Sequence, residues 1–135
     1  MSATEPLVHR VWIDAPPERV FPFFCEPERL TRWLGDAAEL DAAPGGRFAV
    51  DFGQVLVRGR YLEVQPPERV VFTWGQAGSE QLPPGSSRVE VALAAERGGT
   101  TVTLRHHDLP GAERDSHDRG WLAKLAQLAE HAAGR

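Results

Sequence analysis

The chain has 135 residues, of which 41% are hydrophobic and 25% are charged, and its formal net charge is −4. This length predicts one domain with its own core, and the ordinary composition excludes a disordered or fibrous chain. Acidic and basic residues are interspersed rather than gathered in a basic stripe, which argues against nucleic acid as a partner.

The N-terminal part of the chain predicts one strand followed by two short helices. Residues 7–14 are rich in β-branched and aromatic side chains with rough alternation, which is typical of a strand. The prolines at 16–17 then open a short helix, in which Pro22 removes a backbone hydrogen bond and forces a kink or an early end. A second short helix is predicted over residues 27–34, and Gly35 ends it.

The middle of the chain predicts a run of antiparallel strands. Apolar and polar side chains alternate along most of these segments, as they do in a sheet with one buried face, and turns rich in glycine or proline separate them. The predicted strands cover residues 37–42, 47–52, 55–64, 69–75, 88–95 and 101–106. The stretch 76–87 holds two glycines, two prolines and three serines, and we expect a surface loop there.

A long amphipathic helix is predicted from about residue 112 to residue 133. Trp121, Leu125, Leu128 and Ala132 recur at the spacing of one helix face. A helix of roughly 20 residues spans about 30 Å, which is enough to cross a sheet. The sequence therefore predicts an α+β architecture, in which this helix covers the apolar face of a six- or seven-stranded antiparallel sheet and strong twist leaves space between them.

Targeting signals and reactive thiols are not apparent. No apolar run approaches the roughly 20 residues of a membrane-spanning helix, and residues 1–6 lack the basic start and apolar core of a secretion signal. We therefore expect no membrane insertion and a cytoplasmic location.

Cys25 is the only cysteine, and its neighbours Phe23 and Phe24 predict an unreactive packing thiol.

Several short motifs occur in a fixed order along most of the chain. They lie in segments 14–21, 27–33, 44–48, 59–74, 99–106 and 117–128. Each motif alone is weak, but the ordered set resembles the START-like (SRPBCC) superfamily. The branch to which the chain is most similar is the one named for homologues of the C-terminal domain of the heat-shock-protein-90 ATPase activator.

The resemblance implies the helix-grip fold over a single domain of residues 1–135. In this fold a curved antiparallel sheet grips the long C-terminal helix, and the wider superfamily uses the cavity between them for lipids, polyketides, hormones and other apolar molecules. Two positions depart from the pattern. Pro22 stands where the first helix usually continues, and Leu34 stands where a second tryptophan is common, which predicts a different shape for the cavity mouth.

Apolar walls with a few polar groups are typical of a ligand site, and the inward positions of the predicted sheet and helix fit that description. The candidate ligand-binding residues are Trp33, Phe48, Tyr61, Phe72, Trp74, Leu104, His106, His117 and Trp121. The alternative is that the same aromatic side chains simply pack together, since they dominate ordinary cores as well.

Two histidines are expected to converge across the predicted cavity. His106 lies on the inward face of its strand, and His117 precedes Trp121 by four residues and so shares a helix face with it. Either imidazole would bind a ligand carboxylate or carbonyl in a pH-dependent manner. The alternative is that each pairs with a backbone carbonyl or an acid such as Asp118 and fixes the helix to the sheet.

Neither a cofactor nor a metal nor a catalytic residue is predicted. The chain has no serine or cysteine with a motif-level base, no Gly-rich phosphate loop and no paired carboxylates on one element. His106, His107 and Asp108 are adjacent on a strand and point to opposite faces, which disfavours a metal site. His9, His107 and His131 are interpreted as solvated.

The sequence therefore predicts a protein that binds a small apolar molecule, lipid-like or polyketide-like. One alternative is a cyclase-like or hydrolase-like enzyme, in which His106, His117 and Tyr61 would carry protons. A second is a protein-interaction module like the co-chaperone domain. Edge strands of such sheets commonly pair, so a homodimer is a further expectation, with Trp12 at the candidate edge.

Overall fold

The computed structural model describes residues 5–133, in which one seven-stranded antiparallel sheet has the strand order β1-β7-β6-β5-β4-β3-β2. The predictions made for residues 1–4 and 134–135 lie outside this range. The elements are β1 (Leu7–Ile13), α1 (Pro17–Val20), a 3₁₀ helix (Phe21–Phe24), α2 (Pro27–Leu30), β2 (Ala37–Leu40), β3 (Arg47–Phe52), β4 (Val55–Gln65), β5 (Arg69–Trp74), β6 (Ser87–Glu96), β7 (Gly99–His107) and α3 (Gly111–Ala132). The predicted helix-grip fold is confirmed.

The two short helices follow from proline placement. Pro16 is extended and Pro17 begins α1, where its missing N–H costs nothing. The chain tightens into the 3₁₀ helix at Phe21, one residue before Pro22, as the predicted interruption requires. The second helix is shorter than predicted, because hydrogen bonds of the i→i−3 type already tighten the chain after Leu30.

Strand β4 lies unusually close to β5 at Gly59. Gly59 lies opposite Phe48 of β3, and the pairing of β4 with β5 shifts register between Tyr61 and Glu63. A Cβ atom at position 59 would overlap the carbonyl oxygen of Thr73. Only glycine lets the two backbones approach this closely, and the bulge adds curvature to the sheet.

Gly59→Ala is expected to lower the free energy of unfolding by about 2 kcal/mol, since the added methyl group collides with the neighbouring backbone. The matched control is Gly120→Ala, where an added Cβ within α3 meets nothing within 4 Å. That change is expected to raise stability by roughly 0.5–1 kcal/mol, because alanine is the better helix former. Urea unfolding of both variants checks this, and equal effects would contradict it.

The predicted stripe on the long helix is confirmed. Trp121, Leu125, Leu128 and Ala132 are all buried beneath α3. The predicted loop 76–87 is largely exposed, but two of its residues are fixed to the fold: Leu82 is completely buried, and Ser87 begins β6 with its hydroxyl donating to the Trp74 carbonyl. The loop is therefore anchored to the fold at these two residues.

Among residues 5–133, β1 is one of the two edge strands of the sheet. Trp12 on β1 is 38% exposed, and its indole N–H donates to the Glu96 carbonyl. The homodimer expected through such an edge stays a prediction. None of the helices between residues 5 and 133 has both the length and the apolarity needed to traverse a bilayer.

Candidate functional site

A cleft of about 240 Å³ lies between α3 and the C-terminal ends of β3 and β5. Its sheet side is formed by Phe52 and Trp74, together with Leu34 from the turn after α2. Its helix side is formed by one continuous face of α3, which contributes Ser116, His117, Gly120, Trp121 and Lys124. The helix-grip arrangement thus leaves open volume beside the Trp121 indole.

Gly120 is the residue that widens the cleft. Glycine inside a helix costs up to about 1 kcal/mol relative to alanine, and no neighbour forces glycine here, because an added Cβ would meet nothing within 4 Å. The missing side chain therefore creates space at the centre of the lining face of α3.

The floor of the cleft is aromatic. The ring centroids of Trp74 and Trp121 are 5.1 Å apart, and Phe52 lies 6.3 Å from Trp74. Both indoles are almost fully buried, at 4% and 3% exposure. This geometry gives a preformed apolar surface of the kind that small-molecule sites use.

Each indole N–H of the floor donates to an imidazole. Trp74 Nε1 donates to His117 Nε2 at 3.2 Å, and His117 Nδ1 donates to the Glu113 carbonyl at 2.9 Å. Because Nε2 accepts a hydrogen bond from the indole N–H, the ring proton of His117 is assigned to Nδ1. The imidazole therefore braces Trp74 against α3.

The second pair connects α3 to β7 and β6. Trp121 Nε1 donates to His106 Nδ1 at 2.9 Å, which leaves the His106 Nε2 proton to donate to Ser87 Oγ at 2.9 Å. The Ser87 hydroxyl donates in turn to the Trp74 carbonyl at 2.6 Å. Burial, reinforced by the charges of His117 and His107, lowers the pKa of His106 to about 3. This imidazole is therefore neutral at physiological pH.

The two imidazoles lie close together, with ring centroids 5.3 Å apart, but their nitrogens are all engaged by protein groups. Within residues 5–133, no buried side-chain nitrogen or oxygen lacks a hydrogen-bond partner. For His117, the structure shows a hydrogen bond to a backbone carbonyl, that of Glu113. Such pairing was the alternative to ligand binding. Asp118 instead pairs with His9 at 2.8 Å.

The predicted site residues separate into two groups. Trp74, His117 and Trp121 line the cleft, and His106 lies directly behind Trp121 without any exposure. The remaining five lie in the core, away from the cleft lining: Trp33, Phe48, Tyr61, Phe72 and Leu104.

Two of these core residues tie the 3₁₀ helix to the fold. The Trp33 indole donates to the Phe23 carbonyl at 2.9 Å, and the Tyr61 hydroxyl donates to the Phe24 carbonyl at 2.8 Å. Burial raises the pKa of Tyr61 far above its ordinary value, with the charges of Cys25 and Asp41 as smaller contributions. The phenol is therefore neutral and acts here as a hydrogen-bond donor.

Sequence reasoning missed five lining residues: Leu34, Phe52, Ser116, Gly120 and Lys124. A usable signal existed for two of them. Phe52 is the last of the alternating apolar residues of β3, after Phe48 and Val50, and so faces the helix. Gly120 is an unexplained glycine beside Trp121 in an otherwise strong helix pattern.

Other titratable groups lie outside the cleft. His9 and His107 are not solvated as predicted, because Asp118 and Glu90 approach their rings at 2.8 Å and leave the side chains only 15% and 20% exposed. Burial, with the charge of Glu26, raises the pKa of the Cys25 thiol to about 11, in agreement with an unreactive thiol. Between residues 5 and 133, no group of three metal-binding side chains is clustered.

The chain is similar to several known proteins. In solved structures, an AHSA1-like protein from Rhizobium etli is 41% identical with a TM-score of 0.74, covering 100% of this chain and 87% of the other. The Aha1 dimer from Colwellia psychrerythraea is 15% identical with a TM-score of 0.84, covering 96% of each chain, which shows the shared fold.

A curated protein from Schizosaccharomyces pombe is 26% identical over 92 residues, which is 68% of this chain but only 26% of the yeast protein. This chain thus spans about a quarter of that relative. The family model described as "Activator of Hsp90 ATPase homolog 1-like protein" matches residues 14–133. The chain therefore belongs to the AHSA1 family within the START-like superfamily.

Proposed function

We propose that this protein binds a small apolar molecule in the cleft between α3 and the sheet. The observation that carries the proposal is an aromatic floor whose polar atoms are already paired: both indole N–H groups donate to imidazoles. An apolar guest on this surface displaces water without breaking any protein hydrogen bond, which is the favourable case for binding.

The size of the cleft limits the guest. An apolar cavity of about 150 Å³ is enough for a benzene molecule, whereas sites for drug-sized ligands begin at about 300 Å³. At about 240 Å³, the cleft suits one ring with a short substituent, or a short alkyl chain. A long lipid would extend past the cleft into solvent.

In this proposal the predicted site residues have three roles. Trp74, Trp121 and the ring of His117 contact the guest, and His106 holds Trp121 in place from behind. The core residues Trp33, Phe48, Tyr61, Phe72 and Leu104 support the floor without touching the guest. Since the ring nitrogens of both histidines are engaged within the protein, binding rather than proton transfer is the function that the geometry favours.

Gly120→Leu is expected to weaken binding of phenethyl alcohol at least about tenfold, a loss of ~1.4 kcal/mol, because the new side chain occupies the cleft. Isothermal titration calorimetry measures the affinity. The matched control is Ala123→Leu, which adds a leucine at an exposed position of the same helix and leaves affinity unchanged. Undiminished binding by Gly120→Leu, or no binding by the wild-type protein, would contradict the proposal.

A further inference from the structure

Lys124 is the only lysine in the sequence, and the other 14 of the 15 basic residues are arginines. This single lysine lies on the cleft wall, one turn along α3 from Gly120. Its ammonium group is 5.9 Å from the centroid of the Phe52 ring. The amine therefore lies against the aromatic surface that forms the sheet side of the cleft.

Within the described part of the chain, no carboxylate forms an ion pair with Lys124. Among residues 5–133, every ion pair of a carboxylate involves an arginine or a histidine. The contact with the Phe52 ring is a weak attraction between a cation and an aromatic face, and it leaves the three N–H donors of the ammonium group available.

The other polar groups of the cleft are already occupied. His117 uses both ring nitrogens, and the Ser116 hydroxyl donates to the Glu113 carbonyl at 3.3 Å. A polar group carried by a guest thus meets Lys124 as the one available donor among the described lining side chains. A cation beside an apolar wall attracts an anion more strongly than it would in open water.

We infer that the guest of this cleft is a small organic carboxylate, whose apolar part lies on Trp74 and Trp121 while its charged end pairs with Lys124. The inference rests on the proposed function and names the chemical class of its ligand. The protein has a net charge of −4, which repels anions at long range, so recognition depends on this local contact rather than on steering.

Phenylacetate and phenethyl alcohol test the inference, because they share the same ring and differ in charge. Calorimetry at pH 7.5 and low salt is expected to show that the wild-type protein binds phenylacetate about two- to fivefold more tightly than the alcohol. Added salt should weaken only the phenylacetate complex, because an exposed ion pair is screened.

Two substitutions isolate the charge. Lys124→Met is expected to abolish the preference for phenylacetate, so that the two compounds bind with similar affinity, and Lys124→Arg is expected to retain the preference. Equal wild-type affinities for the two compounds, or a preference that survives in Lys124→Met, would overturn the inference and leave the proposed function intact. Binding of neither compound to the wild type would overturn both.

Discussion

Phe48→Ala is expected to lower the free energy of unfolding by about 4 kcal/mol. Phe48 has no solvent exposure, stacks on Phe72 with ring centroids 4.0 Å apart and meets the edge of Tyr61 at 5.6 Å. Alanine would leave a cavity under the sheet that these neighbours, fixed by their own packing, cannot fill. Urea unfolding of the purified variant measures the loss.

Phe52→Ala is the matched control, because it makes the same change on the same face of β3, four residues further along. Phe52 is only partly buried and lines the cleft, so its replacement is expected to cost about 1 kcal/mol or less of stability while weakening ligand binding. Equal stability losses in the two variants would show that Phe52 belongs to the closed core and would contradict the cleft as a site.

The same pair shows why the fold could be predicted more fully than the site. Alternation along β3 places Phe48 and Phe52 on the inward face, and that much is legible in the sequence. Which of them meets open volume depends on where α3 crosses the sheet and on how the sheet curves. Periodicity predicts the face of the sheet on which a side chain lies. It does not predict whether a helix that is distant in sequence covers that side chain.

The lining residues that α3 contributes could not be predicted, for a related reason. A search for apolar stripes selects Trp121 and Leu125, whereas the cleft also uses residues that such a search discards, a glycine and a lysine. The turn after α2 supplies Leu34, at the position where the family resemblance had predicted a changed cavity mouth. The hydrogen bonds between the indoles and the imidazoles could not be predicted without the strand register, since they join β5 and β7 to α3.

Acid is expected to destabilise the protein through His106. Burial holds the pKa of this imidazole at about 3, against an ordinary value of 6.5. Between these two values the unfolded chain binds a proton that the native imidazole does not, so stability falls as the pH falls. One such group contributes a loss of about 1.4 kcal/mol per pH unit below pH 6.5, or ~2 kcal/mol at pH 5, and nothing above about pH 7.5.

His106→Gln isolates this contribution from all other titrating groups. The amide oxygen is able to accept from Trp121, the amide nitrogen is able to donate to Ser87, and neither titrates. The stability of the variant at pH 7.5 does not matter for this test. Between pH 6.5 and pH 5, its free energy of unfolding is expected to fall less steeply than that of the wild type, and the two slopes are expected to differ by about 1.4 kcal/mol per pH unit. Parallel pH profiles for variant and wild type, measured by urea unfolding, would mean that His106 gains its proton without unfolding. The buried link between Trp121 and Ser87 would then be ruled out as the reason for acid sensitivity.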